Sequence, residues 1–430
     1  MTAEPNELFH TTSLPNGLTL VGQHLPGVQS TAIGYFIGAG AQDEVWEQAG
    51  VGHLAEATMF RGTNRHSSRE LTERFDSLGI ARSSSSGVEM SAFTAVLLDA
   101  HVLSALELLT EVVTEPAFAD EEIDAVRALQ LQEIGQREDQ PAQLAMEHVR
   151  QLYFAGSPLS HDVLGSRDSV SGLTRDQVVD YWSQHYAAGN AVLAITGSFD
   201  WDSFAKRAGE ITAGWEPGTG RTRVEPPAVN PGVVVEQNET AQENLAFAFP
   251  GVPQGDDRFY AAALVAMVLG GGMNSRLFTE VREKRGLAYS VGCRFDGMET
   301  AGINRIYVGT QPERAHESRQ VVRSEVERLS RDSVTADELD RAKVRLKSAV
   351  VMNGESTANR LSAAARDWWY RGRLRSLAQV REEIDAVSLD LIREYLDSIR
   401  PAENLGLVAI GPLAAADLGV EQRAFEVKAE

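Results

Sequence analysis

The chain has 430 residues, a formal net charge of −21, 43% hydrophobic and 23% charged residues. That length suggests two or three domains at about 100–200 residues each, and the acidity argues against nucleic acid and anionic membrane as partners while leaving basic peptides open. No apolar run approaches the roughly 20 residues of a membrane helix, and the single Cys293 excludes an internal disulfide framework and any multi-cysteine metal site.

In chain order, the first seven residues are polar and acidic, without the basic and apolar regions of a secretory signal. With one cysteine in the chain, the expected location is the reducing cytoplasm. Alternating strand patterns follow at residues 17–22 and 31–37. The segment Gly50-Val-Gly-His-Leu-Ala-Glu-Ala-Thr-Met-Phe-Arg-Gly has helical apolar spacing through Leu54, Ala55, Met59 and Phe60, with Gly62 as its stop. His53, Glu56 and Ala57 fall on one face of that helix, because positions i, i+3 and i+4 stack. Helices are predicted over residues 99–114 and 120–137, and a strand closes the half at residues 190–197.

The Pro- and Gly-rich stretch around residues 216–232 cannot sustain helix or central strand and reads as a linker between domains at 1–215 and 233–430. Beyond it the pattern repeats. Strands are predicted at residues 232–236 and 244–249, an acidic helix start at 336–340 matches the one at 120–124, and a second Asn-strand-Gly closure runs from Asn404 to Gly411. The offsets are 340 − 124 = 216 and 404 − 190 = 214. Two landmarks that agree this well indicate a duplicated unit. Strands and helices mix without regular βα alternation. The expected fold is α+β, two tandem homologous domains, each a largely antiparallel sheet packed with helices, facing across a cleft.

On the segment His53-Leu-Ala-Glu-Ala57 the chain resembles the pitrilysin/insulinase family of zinc metallopeptidases, whose motif is H-x-x-E-H. The resemblance implies two histidines one turn apart as zinc ligands, a glutamate between them as general base, and a third ligand about eighty residues on; Glu133 matches it, 133 − 53 = 80. Alanine stands at 57 where the family has its second histidine, which leaves His53 and Glu133 as vestigial ligands and Glu56 as a vestigial base. Two further departures are Val126, where the family often carries another Glu, and Ser83, where its substrate-edge strand commonly has Asn. His66 is a possible substitute ligand, but it lies beyond the Gly62 stop. The reading preferred over bound zinc is a hydrogen-bonded polar cluster of His53, Glu56 and Glu133.

The second half carries the fullest match, from Leu269-Gly-Gly-Gly-Met-Asn-Ser-Arg to Leu287-Ala-Tyr-Ser-Val. Gly270 to Gly272 lack the lysine of a phosphate loop and suit a tight turn between helices. The resemblance assigns Arg282 and Tyr289 (289 − 282 = 7) to holding the substrate backbone and its developing oxyanion. The alternative is an ion pair of Arg282 with Glu280 or Glu283, and Tyr289 in the core.

A broken zinc helix beside an intact Arg/Tyr segment implies a non-catalytic subunit of a heterodimeric zinc endopeptidase. It would hold no cofactor itself and would supply Arg282 and Tyr289 in trans to a homologous subunit that has H-x-x-E-H and the zinc. Short or unfolded peptides would be the substrates. Two other readings stay open: an assembly protein like the core subunits of respiratory complexes, and a self-sufficient zinc peptidase with an atypical ligand set.

Overall fold

The computed structural model describes residues 8–220 and 223–422. The polar start at residues 1–7, residues 221–222 of the linker and residues 423–430 lie outside them. In the first half the strands are β1 (Leu8–Ser13), β2 (Thr19–His24), β3 (Ser30–Ile37), β4 (Ala81–Ser86), β5 (Ser91–Leu98) and β6 (Ala191–Gly197). The helices are α1 (Val51–Met59), α2 (Ser68–Ser77), α3 (Val102–Thr114), α4 (Asp120–Glu138), α5 (Pro141–Tyr153), α6 (Arg167–Gly172), α7 (Arg175–His185) and α8 (Trp201–Ile211). The described residues of the expected linker hold no helix or strand. The second half contributes β7 (Val233–Gln237), β8 (Glu243–Pro250), β9 (Ala288–Gly297), β10 (Gly302–Thr310) and β11 (Gly406–Gly411). Its helices are α9 (Phe259–Gly270), α10 (Pro312–Asp332), α11 (Ala336–Asn353), α12 (Thr357–Arg371), α13 (Leu377–Asp385) and α14 (Leu389–Ile399).

Local chemistry sets many of these boundaries. Ser67 and Glu70 close a reciprocal capping box on α2, as Thr174 and Gln177 do on α7, and each box satisfies two N–H groups the helix cannot pair itself. Pro141 and Pro312 open α5 and α10, where a missing N–H costs nothing. Gly372, at φ +64°, ends α12.

Contacts divide the chain into two units, and not at one point. Among the described residues the first comprises 8–134, 161–220 with 223, and 351–377; the second comprises 135–160, 224–350 and 378–422. Compared with halves at 1–215 and 233–430, residues 135–160 group with the second unit and 351–377 with the first.

The sheet of the first unit has the order β1-β2-β6-β3-β5-β4, that of the second β7-β11-β8-β10-β9. Without β1 the two orders are the same. In each, one parallel pair (β2 with β6, β7 with β11) sits among antiparallel neighbours. The closing asparagines are equivalent too. Asn190 Nδ2 donates to the His185 carbonyl at the end of α7 at 2.9 Å, and Asn404 Nδ2 donates to the Ile399 carbonyl at the end of α14 at 3.1 Å. Each side chain satisfies a helix-terminal carbonyl that has no partner in its own helix. The duplication seen in the sequence is therefore a duplication of topology.

In the first unit Leu20, Ile33, Tyr35, Phe93 and Leu193 form one face of the sheet and build a core with helices that include α1 and α3. The other face, Val21, Ala32, Phe36, Val192 and Ala194, packs on Leu361 and Ala365 of α12. In the second unit Leu245, Phe247, Phe249, Ile306 and Leu407 face the main core, while α5 packs on β8, β10 and β11. Arg305 of β10 ties α5 down by donating from Nη1 to the Met146 carbonyl at 2.9 Å. Each unit is thus completed by a helix from the opposite half of the sequence. Full burial of a large apolar side chain contributes about 1.5–3 kcal/mol, so several such residues under α12 make it a substantial part of the first unit's stability. No helix among the described residues is long and apolar enough to cross a membrane.

Candidate functional site

The start of α1 is fixed from three sides. Gly50 adopts φ +92°, and a Cβ there would lie 2.6 Å from the Leu164 carbonyl oxygen, so glycine is required by both conformation and space. Buried Glu44 accepts from Gly50 N at 2.7 Å and Gly52 N at 2.8 Å. Gln130 of α4 donates from Nε2 to the carbonyls of Gly50 (3.0 Å) and Leu164 (2.9 Å). Leu54, Ala55 and Met59 anchor the inner face, and Gly62, at φ +136°, follows the helix as the spacing predicts. Sequence reading missed Glu44 and Gln130; the one cue was an acid six residues ahead of a glycine that opens a helix.

This rigid helix turns His53 and Glu56 toward β4 and α4. Nε2 of His53 lies 3.3 Å from Glu133 Oε2, and its Nδ1 lies 2.9 Å from Ser86 Oγ and 3.9 Å from Glu56 Oε2. Glu56 is buried, whereas the Glu133 side chain is half exposed. Burial pushes the Glu56 carboxyl up to about 7; a hydrogen bond with Ser84 opposes this and the Glu133 charge reinforces it. Burial also holds His53 below the usual imidazole range, against the pull of Glu133. Strand alternation explains the serines. Ser84 and Ser86 are half-buried on the side of β4 toward α1, while Ser83 and Ser85 are exposed on an edge strand paired only with β5. Ser83 is therefore not the serine that meets Glu56. His66 is engaged elsewhere, its Nδ1 2.7 Å from Glu111 Oε1, and Val126 is buried in the core.

A family model described as insulinase (peptidase family M16) matches residues 19–167, and one described as peptidase M16 inactive domain matches residues 172–346. The chain belongs to the pitrilysin/insulinase family. It is 29% identical to an uncharacterized zinc protease of Bacillus subtilis, over 92% of this chain and 97% of that one. It is equally 29% identical to an uncharacterized zinc protease of Streptomyces coelicolor, over 94% and 89%. The fold matches the crystal structure of a peptidase M16 inactive domain from Pseudomonas fluorescens, with a TM-score of 0.88 at 23% identity over 97% of this chain and all of that one. It also matches a protease from Helicobacter pylori, with a TM-score of 0.85 at 18% identity over 94% and 99%.

A catalytic zinc in this family takes three protein ligands. His53 Nε2 and Glu133 Oε2 are two donors, and Ala57 has no donor atom. Among the described residues no group of three or more His, Cys, Asp or Glu side chains is placed to hold a metal ion. The donor set does not fit the family's zinc.

In the second unit Arg282 lies in the turn before β9, an edge strand, and Tyr289 is the second residue of that strand. Residues Phe278–Glu283 form a π-helical turn held by buried Val281 and Leu287, with Gly286 at φ +61° leading into the strand. Arg282 donates from Nη1 to the Tyr289 carbonyl at 2.9 Å, and its guanidinium carbon lies 4.7 Å from the centre of the Tyr289 ring and 4.9 Å from that of Phe278. Tyr289 is 81% exposed, which rules out the core alternative. The ion pair with Glu280 is also replaced, since Glu280 is taken by Lys284 and Arg285 at 2.6 Å each. The glycines before the turn serve a close approach: a Cβ on Gly270 would lie 2.2 Å from Cys293 N, so α9 can lie directly on β9.

Proposed function

We propose that this chain is a zinc-deficient subunit of a heterodimeric zinc endopeptidase that acts on short or unfolded peptides. The observation that carries the proposal is Ala57, which leaves the site with two donors, His53 of α1 and Glu133 of α4, while Arg282 stays hydrogen-bonded to solvent-facing Tyr289. The partner would be a homologous chain with an unbroken H-x-x-E-H that holds the zinc. In this reading the Arg282 guanidinium and the Tyr289 hydroxyl hold the peptide backbone and meet the negative charge that develops on its carbonyl oxygen. Stacking between Phe278 and Tyr289 limits the directions in which Arg282 points its N–H groups, and that preorganisation is what such a donor needs. The test is peptide cleavage by this chain mixed with such a partner. Arg282→Ala here should lower kcat by about 10²–10³; an unchanged rate rejects the role in trans.

The relatives named zinc proteases, which align over more than nine-tenths of the chain, favour one other reading, a self-sufficient zinc peptidase with an atypical ligand set. Stoichiometric zinc and chelator-sensitive cleavage by the pure chain would establish it.

A further inference from the structure

Tyr289 lies where the ladder between β9 and β10 is irregular. Gly309 and Thr310 are neighbours on β10, yet their partners on β9 are Ser290 and Ala288. Tyr289 is the extra residue of a β-bulge, a device that bends a strand and re-aims a side chain. Burial agrees. Regular alternation turns one of two successive residues inward, but Tyr289 and Ser290 are both exposed after buried Ala288. The bulge is no remnant of the duplication. β4 holds the matching edge position in the first unit, and it pairs with β5 without a break in register.

Two residues before the bulge, Leu287 is pinned at both ends. Its N–H donates to the Val281 carbonyl at 2.8 Å, which closes the turn that carries Arg282. Its carbonyl accepts from Thr310 Oγ1 at 2.7 Å, and Thr310 Oγ1 accepts from Ser318 Oγ of α10 at 3.1 Å. Leu287, Thr310 and Ser318 are all buried, which shields these bonds from solvent and strengthens them.

We propose that Thr310 is a positioning residue for the Arg282/Tyr289 pair. Its hydroxyl locks the bulge that turns the Tyr289 ring outward while the Tyr289 carbonyl accepts from Arg282. Thr310 acts through Leu287 and not on a peptide itself. Its importance for cleavage rests on the role in trans given above.

The experiment places 3-fluorotyrosine at position 289 of the whole chain and reads the fluorine resonance without a partner. Arg282→Ala marks the resonance of a ring that has lost its cation. Thr310→Val removes only the hydroxyl, and should shift the resonance toward that of Arg282→Ala. Thr310→Ser should restore the parent position. Where Thr310→Val does not fold, Ser318→Ala, which releases the Thr310 hydroxyl, carries the same expectation. In the mixed dimer Thr310→Val should lower kcat by about 10², the cost of a misplacement of about 1 Å, and Thr310→Ser should not. A parent resonance in folded Thr310→Val, the same shift in Thr310→Ser, or no response to Arg282→Ala overturns the proposal. A shifted resonance with unchanged cleavage leaves Thr310 as the pin and overturns the role in trans.

Discussion

His53 Nε2 and Glu133 Oε2 stand 3.3 Å apart. Two corners of a tetrahedron lie about 3.4 Å apart when each metal–ligand distance is about 2.1 Å, so the surviving pair keeps the spacing of zinc ligands. Position 57 is one helical turn beyond His53. Ala57→His should therefore bind one zinc per chain, while the parent chain copurifies with none in stoichiometric amount. Metal analysis after dialysis checks both. A histidine variant that stays empty would mean Glu133 is not the third ligand.

Tyr289 offers a ring to Arg282 and a hydroxyl to solvent. Tyr289→Phe separates the two, because the stack survives and the phenolic donor is lost. In the mixed dimer, cleavage should fall about tenfold, the equivalent of one hydrogen bond of about 1.4 kcal/mol, with unfolding temperature unchanged. A loss of stability without loss of rate would assign Tyr289 to packing.

Glu44 gives the first unit a pH dependence of stability. Burial is the main cause that raises its carboxyl from 4.5 to about 8; the bonds from Gly50 and Gly52 oppose this, and the charges on Asp162 and Asp43 add to it. The folded state then holds a proton that the unfolded chain releases above about 4.5. Its stabilisation is complete below that pH, declines on the order of 1 kcal/mol per pH unit, and is gone above about 8. Glu56, raised to about 7, contributes with the same sign. Glu44→Gln should flatten the fall in Tm between pH 5 and 8. Parallel curves for parent and variant would show that Glu44 is ionised in the native state.

Gly50→Ala tests how firmly α1 is seated. The residue would have to hold φ +92° with its Cβ 2.6 Å from the Leu164 oxygen and 2.8 Å from Gln130 Nε2. Left-handed backbone alone costs about 1–2 kcal/mol, and the close contacts add to that. A loss of about 3 kcal/mol in denaturant unfolding is expected; a loss below about 0.5 kcal/mol would mean that the turn relaxes freely.

Local features were legible in the sequence. The helix around His53, the Gly62 stop, the paired strands and the closing asparagines all come from short-range spacing and chemistry. The duplicated sheet order follows from them because the landmarks recur about 215 residues apart. Packing partners were not legible. Nothing in the spacing of α5 or α12 tells which sheet each covers, since an amphipathic face carries no address. Among the β4 serines, register decides which meet the cluster, and a run of four identical residues hides its register. Glu44 and Gln130 were missed because a buried polar residue looks like a surface one until its backbone partners are known.

The placement of α12 also bears on how the chain is made. The last sheet strand of the first unit ends at Gly197 and α12 begins at Thr357, so about 160 residues of synthesis (357 − 197) separate the sheet from its cover. Through that interval Val21, Phe36 and Val192 lack the helix that covers them in the finished fold. A nonsense codon anywhere in this interval strands the first unit half-built, and internal initiation after α5 does the same to the second. A chain cut between its two repeats would separate each sheet from one of the helices that cover it.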